Sequence, residues 1–165
     1  MDVERIRPIA ICVFRRGEDI LVGEGYDRVK DETFYRPLGG AIEFGESSRD
    51  GIVREIREEL GAEITGLEYL ATIENVFTCD GTPGHQIVMV YQAAFADERF
   101  YRAESITGQE HDETGPLWEF TAIWKPLDYF RAGTAPLYPE SLLELLDRRR
   151  DDGRSPEPPS RSAKE

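Results

Sequence analysis

The sequence predicts an α/β protein of the mixed, α+β kind, and three observations predict it. Strand-like apolar runs recur along the chain, alternating with period two in the first of them. One strongly helical segment, residues 47–60, interrupts those strands, and a second helix within residues 139–150 closes them. A length of 165 residues suits one domain with a real core. Residues 1–150 are assigned to that domain. Residues 151–165, "DDGRSPEPPSRSAKE", carry no large apolar side chain to offset the entropy of ordering, and a disordered tail is expected.

Each element has its own signal. "IRPIAICVFRRGEDILVGEGYD" reads as two strands around an Arg-Arg-Gly-Glu-Asp turn, with Ile9, Ile11 and Val13 alternating against Ala10, Cys12 and Phe14. Residues 27–33 are polar and expected to form a loop. "FYRPLGGAIEFGE" mixes strand formers with Gly39, Gly40 and Gly45, so short extended pieces separated by turns follow. The helix over 47–60 has Ser47 or Ser48 to cap it, Asp50 in its positive first turn and Gly61 as its stop. Two long strands come next, joined around "CDGTPG". The second, Gln86 to Phe95, is apolar on both alternating sets, as a central strand covered on both faces would be. Residues 98–115 are polar and poorly periodic, with no predicted element. "LWEFTAIWKPLDYF" supplies a further strand, and "PESLLELLDRRR" the closing helix, its apolar face made by Leu142, Leu143, Leu145 and Leu146.

Charge excludes several classes of function. The net charge is −13 and no Lys/Arg stripe stands out, so a nucleic-acid partner is not expected. The same field repels a phosphorylated small molecule unless a cation mediates. No apolar run reaches the roughly 18–20 residues that span a bilayer. The start, "MDVERIRPIAICVF", has acidic residues before its apolar stretch and no small-residue cleavage site, so neither a signal peptide nor a membrane partner is expected, and the setting is cytoplasmic. Cys12 and Cys79 match no metal spacing and are read as reduced thiols. His85 and His111 lack the partners of a zinc site. "GGAIEFGES" lacks the Gly-Lys-Ser/Thr ending of a P-loop.

The helix over 47–60 breaks local rules. At about 100° per residue, Ile52, Val53, Ile56 and Leu60 form a core-facing stripe. Glu55, Glu58 and Glu59 cluster beside it at i, i+3 and i+4, where like charges disfavour the helix by roughly 0.2–0.5 kcal/mol per pair. They also crowd the end where the dipole is negative. Three such glutamates are ordinarily a solvated acidic face. A divalent cation accounts for the cluster differently, turning repelling charges into ligands; oxygen-only donors favour a hard ion such as Mg²⁺.

The spacing of the whole segment goes further. Gly40, Glu46, Arg54-Glu55-Ile56, Glu58-Glu59, Gly61 and Ala62 stand in the order and at the intervals of Gly-x5-Glu-x7-Arg-Glu-U-x-Glu-Glu-x-Gly-U, where U is a bulky apolar residue. The segment resembles the Nudix box. It departs at Ala62, which is small where the pattern prefers bulk, and at Pro37-Leu38-Gly39-Gly40, where Pro-Gly-Gly is common. The resemblance implies an α/β/α sandwich with a mixed sheet and the box loop-helix on one face. It implies a hydrolase of nucleoside diphosphates linked to another group, with Mg²⁺ or Mn²⁺ as cofactor and a small nucleotide as substrate. Many relatives are homodimers, which makes a homodimer one expectation.

Carried over position by position, Glu55, Glu58 and Glu59 and the main-chain carbonyl of Gly40 would ligate metal. Arg54 would orient Glu55, and Glu46 would bond within the loop-helix. Glu55 is the first choice of general base; Glu110, Glu113 and Glu119 are candidates for an extra ligand or base. Arg36 is a candidate for holding a substrate phosphate. Tyr26, Tyr35, Phe77 and Trp124 are suited to stacking on a base, though core packing is the favoured reading for each. The residues outside the box lack the signatures of ADP-ribose, dinucleoside-polyphosphate, coenzyme A and NADH hydrolases, which leaves a nucleoside diphosphate sugar ahead of a nucleoside triphosphate. A non-catalytic nucleotide-sensing module is the rival from another class.

Overall fold

The computed structural model describes residues 4–112 and 115–151; Glu113 and most of the expected tail lie outside the described residues. The chain runs β1 (Arg7–Val13), β2 (Arg15–Arg16), β3 (Asp19–Asp27), β4 (Glu32–Arg36), β5 (Leu38–Ala41), α1 (Ser48–Leu60), β6 (Ile64–Cys79), β7 (Thr82–Phe95), α2 (Arg99–Arg102), β8 (Ser105–Asp112), β9 (Gly115–Pro126), α3 (Leu127–Arg131) and α4 (Leu142–Asp151). One sheet has the order β5-β1-β7-β6 and the other β2-β3-β9-β8, with β4 also on β3. β1 and β7 are parallel while β5 and β6 pair antiparallel, so the first sheet is mixed.

The alternation along β1 divides the core into two layers. Ala10 and Cys12, with the adjoining Phe14, join Ile52 and Ile56 of α1 on one face. Ile11 and Val13 join Leu127 and Phe130 of α3 and Leu142 and Leu146 of α4 on the other. This is the helix–sheet–helix sandwich that the resemblance implied. Ile52, Ile56, Leu142 and Leu146 are fully buried, each such side chain contributing about 1.5–3 kcal/mol. Ala62 is buried in the α1-side cluster, so its small size is matched by close packing. Cys12 is buried and Cys79 half-buried, and both are free thiols.

Three stretches differ from expectation. Leu127 to Phe130, expected to end a strand, open α3 instead. Residues 98–115 carry α2 and β8. The strand's residues, "SITGQEHD", show no period of their own, and β8 takes its order from the ladder with β9 and from packing beside α1. The loop expected at 27–33 shrinks to a tight turn before β4. The buried Asp27 carboxylate makes that turn by accepting the N–H groups of Val29 and Lys30. Asp27 also accepts the N–H of Asp80, whose own carboxylate accepts the N–H of Arg28, so the β3–β4 and β6–β7 hairpin tips are clasped together.

Candidate functional site: a carboxylate helix beside a cavity

Ser47 decides how α1 begins. Its backbone is extended, and its side chain accepts the N–H of Asp50. Ser48 is the first helical residue, and its hydroxyl instead meets the Tyr91 hydroxyl at 2.6 Å. Gly61 ends the helix at φ 63°, and its N–H reaches the Arg57 carbonyl. Between these caps, Arg54 organises the acidic residues. Its Nε and Nη2 hold Glu46 in a fork at 2.8 and 2.9 Å, and Nη2 also reaches the Ala41 carbonyl at 3.0 Å. Nη1 donates to Glu55 Oε1 and Glu58 Oε2, both at 3.1 Å. The repulsion between Glu55 and Glu58 is therefore relieved within the helix, and that felt by Glu59 is not. Arg57 turns outward and pairs with Glu63 instead.

The carboxylates of the box occupy unlike environments. Arg54, aided by the Glu43 N–H, draws the Glu46 pKa down to about 2. Burial raises the Glu55 pKa, with Arg54 opposing and the Glu58 and Glu110 charges adding to the rise. Glu58 is exposed. Glu59 is 4% exposed, and neither of its oxygens has a hydrogen-bond partner. Burial first, then the Glu110 and Glu55 charges, push its pKa up to about 9; the Arg36 charge and the nearby Gly39 N–H pull weakly the other way. Seven positions after Ile52 and three after Ile56, Glu59 lies on the buried stripe rather than beside it. That correction was available from helical geometry alone.

Gly40 closes the site from the strand side. A Cβ there would come within 2.5 Å of the Glu55 carboxyl carbon, so only glycine lets the β5 backbone approach so closely. Of the candidate later glutamates among the described residues, Glu110 on β8 is the one whose charge bears on both Glu55 and Glu59. Glu119 pairs with Gln109 and Glu110 with Trp118, so by strand alternation Glu119 points to the opposite face of that ribbon. Glu113 is outside the described residues. Among the described residues, no three His, Cys, Asp or Glu side chains already converge as a cage. Arg54 draws Glu55 and Glu58 aside, while Glu59 lies inside. The donor set nonetheless fits a hard divalent ion. It offers oxygen ligands only, including two buried carboxylate oxygens with no partner and a glycine backbone against Glu55.

On the other face of β1 lies a cavity of about 530 Å³. Ile9, Ile11 and Val88 form its floor, and the clasped hairpins with Tyr138–Glu140 form its walls. Phe34 lies across Gly25 and Phe77 across Gly84: a Cβ on either glycine would come within 2.4 and 2.3 Å of the ring. Arg36, at the end of β4, lines the cavity and also bears on Glu59, joining the two places. Sequence reading found Phe77 as a stacking candidate but favoured the core for it. Tyr35 and Trp124 are in the core as expected, and Tyr26 is exposed. Phe34, Asn75, Gln86 and Tyr138 were not singled out, since no local pattern joins residues from four distant segments.

A mixed sheet between helices, with a glycine loop feeding a carboxylate-bearing helix, defines the class as a Nudix-type domain. The NUDIX domain profile matches residues 5–144, and the chain belongs to that family. It is similar to the NAD-capped RNA hydrolase NudC of Pseudomonas aeruginosa (strain LESB58), 37% identical over 68 residues, which are 41% of this chain and 24% of the relative. The NudC of Pectobacterium carotovorum subsp. carotovorum (strain PC1) is 32% identical over 92 residues, 56% of this chain and 32% of the relative. The chain thus spans about a quarter to a third of the length of these curated relatives. Among solved structures, the fold is shared with a NUDIX hydrolase from Nitrosomonas europaea, with TM-score 0.59, 17% identity, and 92% of this chain and 93% of that one covered. It is shared also with the E. coli ORF135 protein, with TM-score 0.55, 22% identity and coverage of 93% and 96%. No helix among the described residues is long and apolar enough to cross a membrane.

Proposed function

We propose that the chain hydrolyses the phosphoanhydride bond of a nucleoside diphosphate linked to another moiety, with Mg²⁺ or Mn²⁺ as cofactor. The observation that carries this reading is Glu59, a buried carboxylate with no donor, set among the charges of Glu55 and Glu110. Such a group is unfavourable unless it is neutral or holds a cation. Glu55, Glu58 and Glu59, with the Gly40 carbonyl, would hold the ion. When bound, a divalent ion neutralises the pyrophosphate and acidifies water.

The chain's own residues do the rest. Arg54 aligns Glu55 and Glu58, and Glu46 locks Arg54 by its two-point grip. Glu55 serves as general base through Oε2, the oxygen that Arg54 does not engage, and its raised proton affinity suits that role. Glu110 is the favoured additional ligand or base, ahead of Glu119. Arg36 binds a substrate phosphate between the carboxylates and the cavity, which takes the organic end of the substrate. The matched NudC relatives are named for NAD-capped RNA, and NAD is itself a pyrophosphate-linked dinucleotide, so substrates of that form join nucleoside diphosphate sugars in the proposed class. The net charge of −13 favours recognition of the nucleotide rather than of an attached nucleic acid.

The test is a panel of nucleotides followed by product identification by mass, with Mg²⁺ and with chelator. Turnover confined to the Mg²⁺ arm is the expected result. Tight nucleotide binding with no turnover on any member would overturn the reading in favour of a sensing module.

A further inference from the structure

Asn75 on β6 and Gln86 on β7 are directly paired across the ladder, and both line the cavity. Asn75 Nδ2 donates to Gln86 Oε1 at 3.3 Å. Each amide has two ends, so this bond leaves one carbonyl, on Asn75, and one amino group, on Gln86, free to face a ligand. Turning both amides over exchanges the owners and leaves the same two functions: one acceptor beside one donor. Around them the cavity is apolar and aromatic, with Phe34 and Phe77 laid across glycines and Ile9, Ile11 and Val88 below. Two of the charged lining groups, Asp27 and Lys30, are committed elsewhere, while Arg36 is the group proposed to meet a phosphate. Asp27 is bonded to three backbone N–H groups, and Lys30 is held by the Thr78 carbonyl at 2.7 Å and by Asp27.

We infer that Asn75 and Gln86 are specificity-determining residues that read the edge of a planar heterocyclic ring through one accepted and one donated hydrogen bond. The inference rests on the proposed hydrolysis only for its consequence in turnover. The ring lies against Phe34 and Phe77, whose faces offer stacking, while the amide pair supplies the polar complement that an apolar cavity otherwise lacks. Adjacent donor and acceptor atoms are found on the hydrogen-bonding edge of every nucleobase, and a sugar alone has no such flat edge. The pair therefore selects for a base without strongly selecting among bases. Replacing Asn75 by aspartate changes that. Gln86 then donates to the new carboxylate and turns its carbonyl outward, so both free functions accept. Of the common bases, guanine alone offers two adjacent donors.

The experiment is calorimetric titration of the full chain with AMP, GMP and UMP, and with ribose 5-phosphate as the control without a base. Unmodified protein is expected to bind all three nucleotides within about tenfold of one another, and ribose 5-phosphate at least tenfold more weakly. Asn75→Ala/Gln86→Ala, checked for an unchanged melting temperature, loses at least tenfold in nucleotide binding and none for ribose 5-phosphate. Asn75→Asp shifts preference toward GMP. In turnover assays the double variant raises KM by the same factor at unchanged kcat. A folded double variant that binds nucleotides as the parent does overturns the inference, as does an Asn75→Asp variant with no gain for GMP. Absence of turnover from any nucleotide would sink the hydrolase reading while leaving these binding results intact.

Discussion

Glu46 and Glu59 stand at opposite ends of one motif and under opposite conditions. Glu46 accepts two hydrogen bonds from Arg54 and one from the Glu43 N–H, and its pKa falls to about 2. Glu59 accepts none, lies buried near two other carboxylates, and its pKa rises to about 9. The sequence pattern treats both simply as required glutamates. Their surroundings separate them: a carboxylate furnished with donors maintains architecture, and one whose oxygens find no hydrogen-bond partner is, in the proposed function, the one that meets a cation. Arg54 enforces the distinction by supplying Glu46 fully, Glu55 and Glu58 partly, and Glu59 not at all.

The sharpest way to break this comparison is Glu59→Gln, a neutral isostere. Loss of kcat on the order of 10³-fold, about 4 kcal/mol, is expected with Mg²⁺ present. In chelator the melting temperature should hold or rise, because a carboxyl raised to about 9 must take up a proton on folding at neutral pH, and glutamine removes that cost. A clear fall would place Glu59 with Glu46 among the structural acids. Arg54→Ala comes next. It strips Glu46, Glu55 and the Ala41 carbonyl of their donor at once, and denaturant unfolding should show about 3 kcal/mol of destabilisation.

Gly40→Ala sharpens the same contrast with a smaller effect. The added methyl meets the Glu55 carboxyl and not Glu46, so activity should drop roughly tenfold, near 1.4 kcal/mol, with less change in melting temperature. Equal losses in both readouts would count against a selective effect on Glu55. Ser47→Ala removes the cap on which the Glu46 end of the motif rests and should lower stability by about 1 kcal/mol at unchanged KM.

The smallest effect belongs to Glu46→Gln, and it is present at neutral pH and fades in acid. Because the folded pKa of Glu46 is depressed from 4.5 to about 2, its contribution is present above pH 4.5 and is lost as pH falls toward 2. The melting-temperature gap between the parent and Glu46→Gln should therefore narrow across that window. A gap that stays constant would show that the ion pair with Arg54 is not what Glu46 contributes.

How much could be read without the fold differs from one place to another. The strand pair at the start, the helix over 47–60, the long hairpin and the closing helix all rest on periodicity within a few residues, and each appears close to where it was expected. β8 was not legible, since a polar edge strand is ordered by its partner β9 rather than by its own pattern. In the site, Arg54 and the three helix glutamates announced themselves by spacing. The burial of Glu59 was legible in principle, from its alignment with Ile52 and Ile56, but its charge and position drew it into the acidic cluster instead. Nothing in the order of residues separated Glu110 from Glu119; the register of the β8–β9 ribbon sets them on opposite faces.

What the sequence by itself determined was the order of elements and the inventory of the box, because both depend on intervals along the chain shorter than a few helical turns. Only the tertiary structure decided which glutamate is locked and which is left without a donor, and only it assembled a cavity from β1, β4, β6, β7 and residues 138–140. The physical reason is common to both. Burial, electrostatic field and ring packing at a side chain are set by whatever lies within a few ångströms, and here those neighbours come from chain segments tens of residues away.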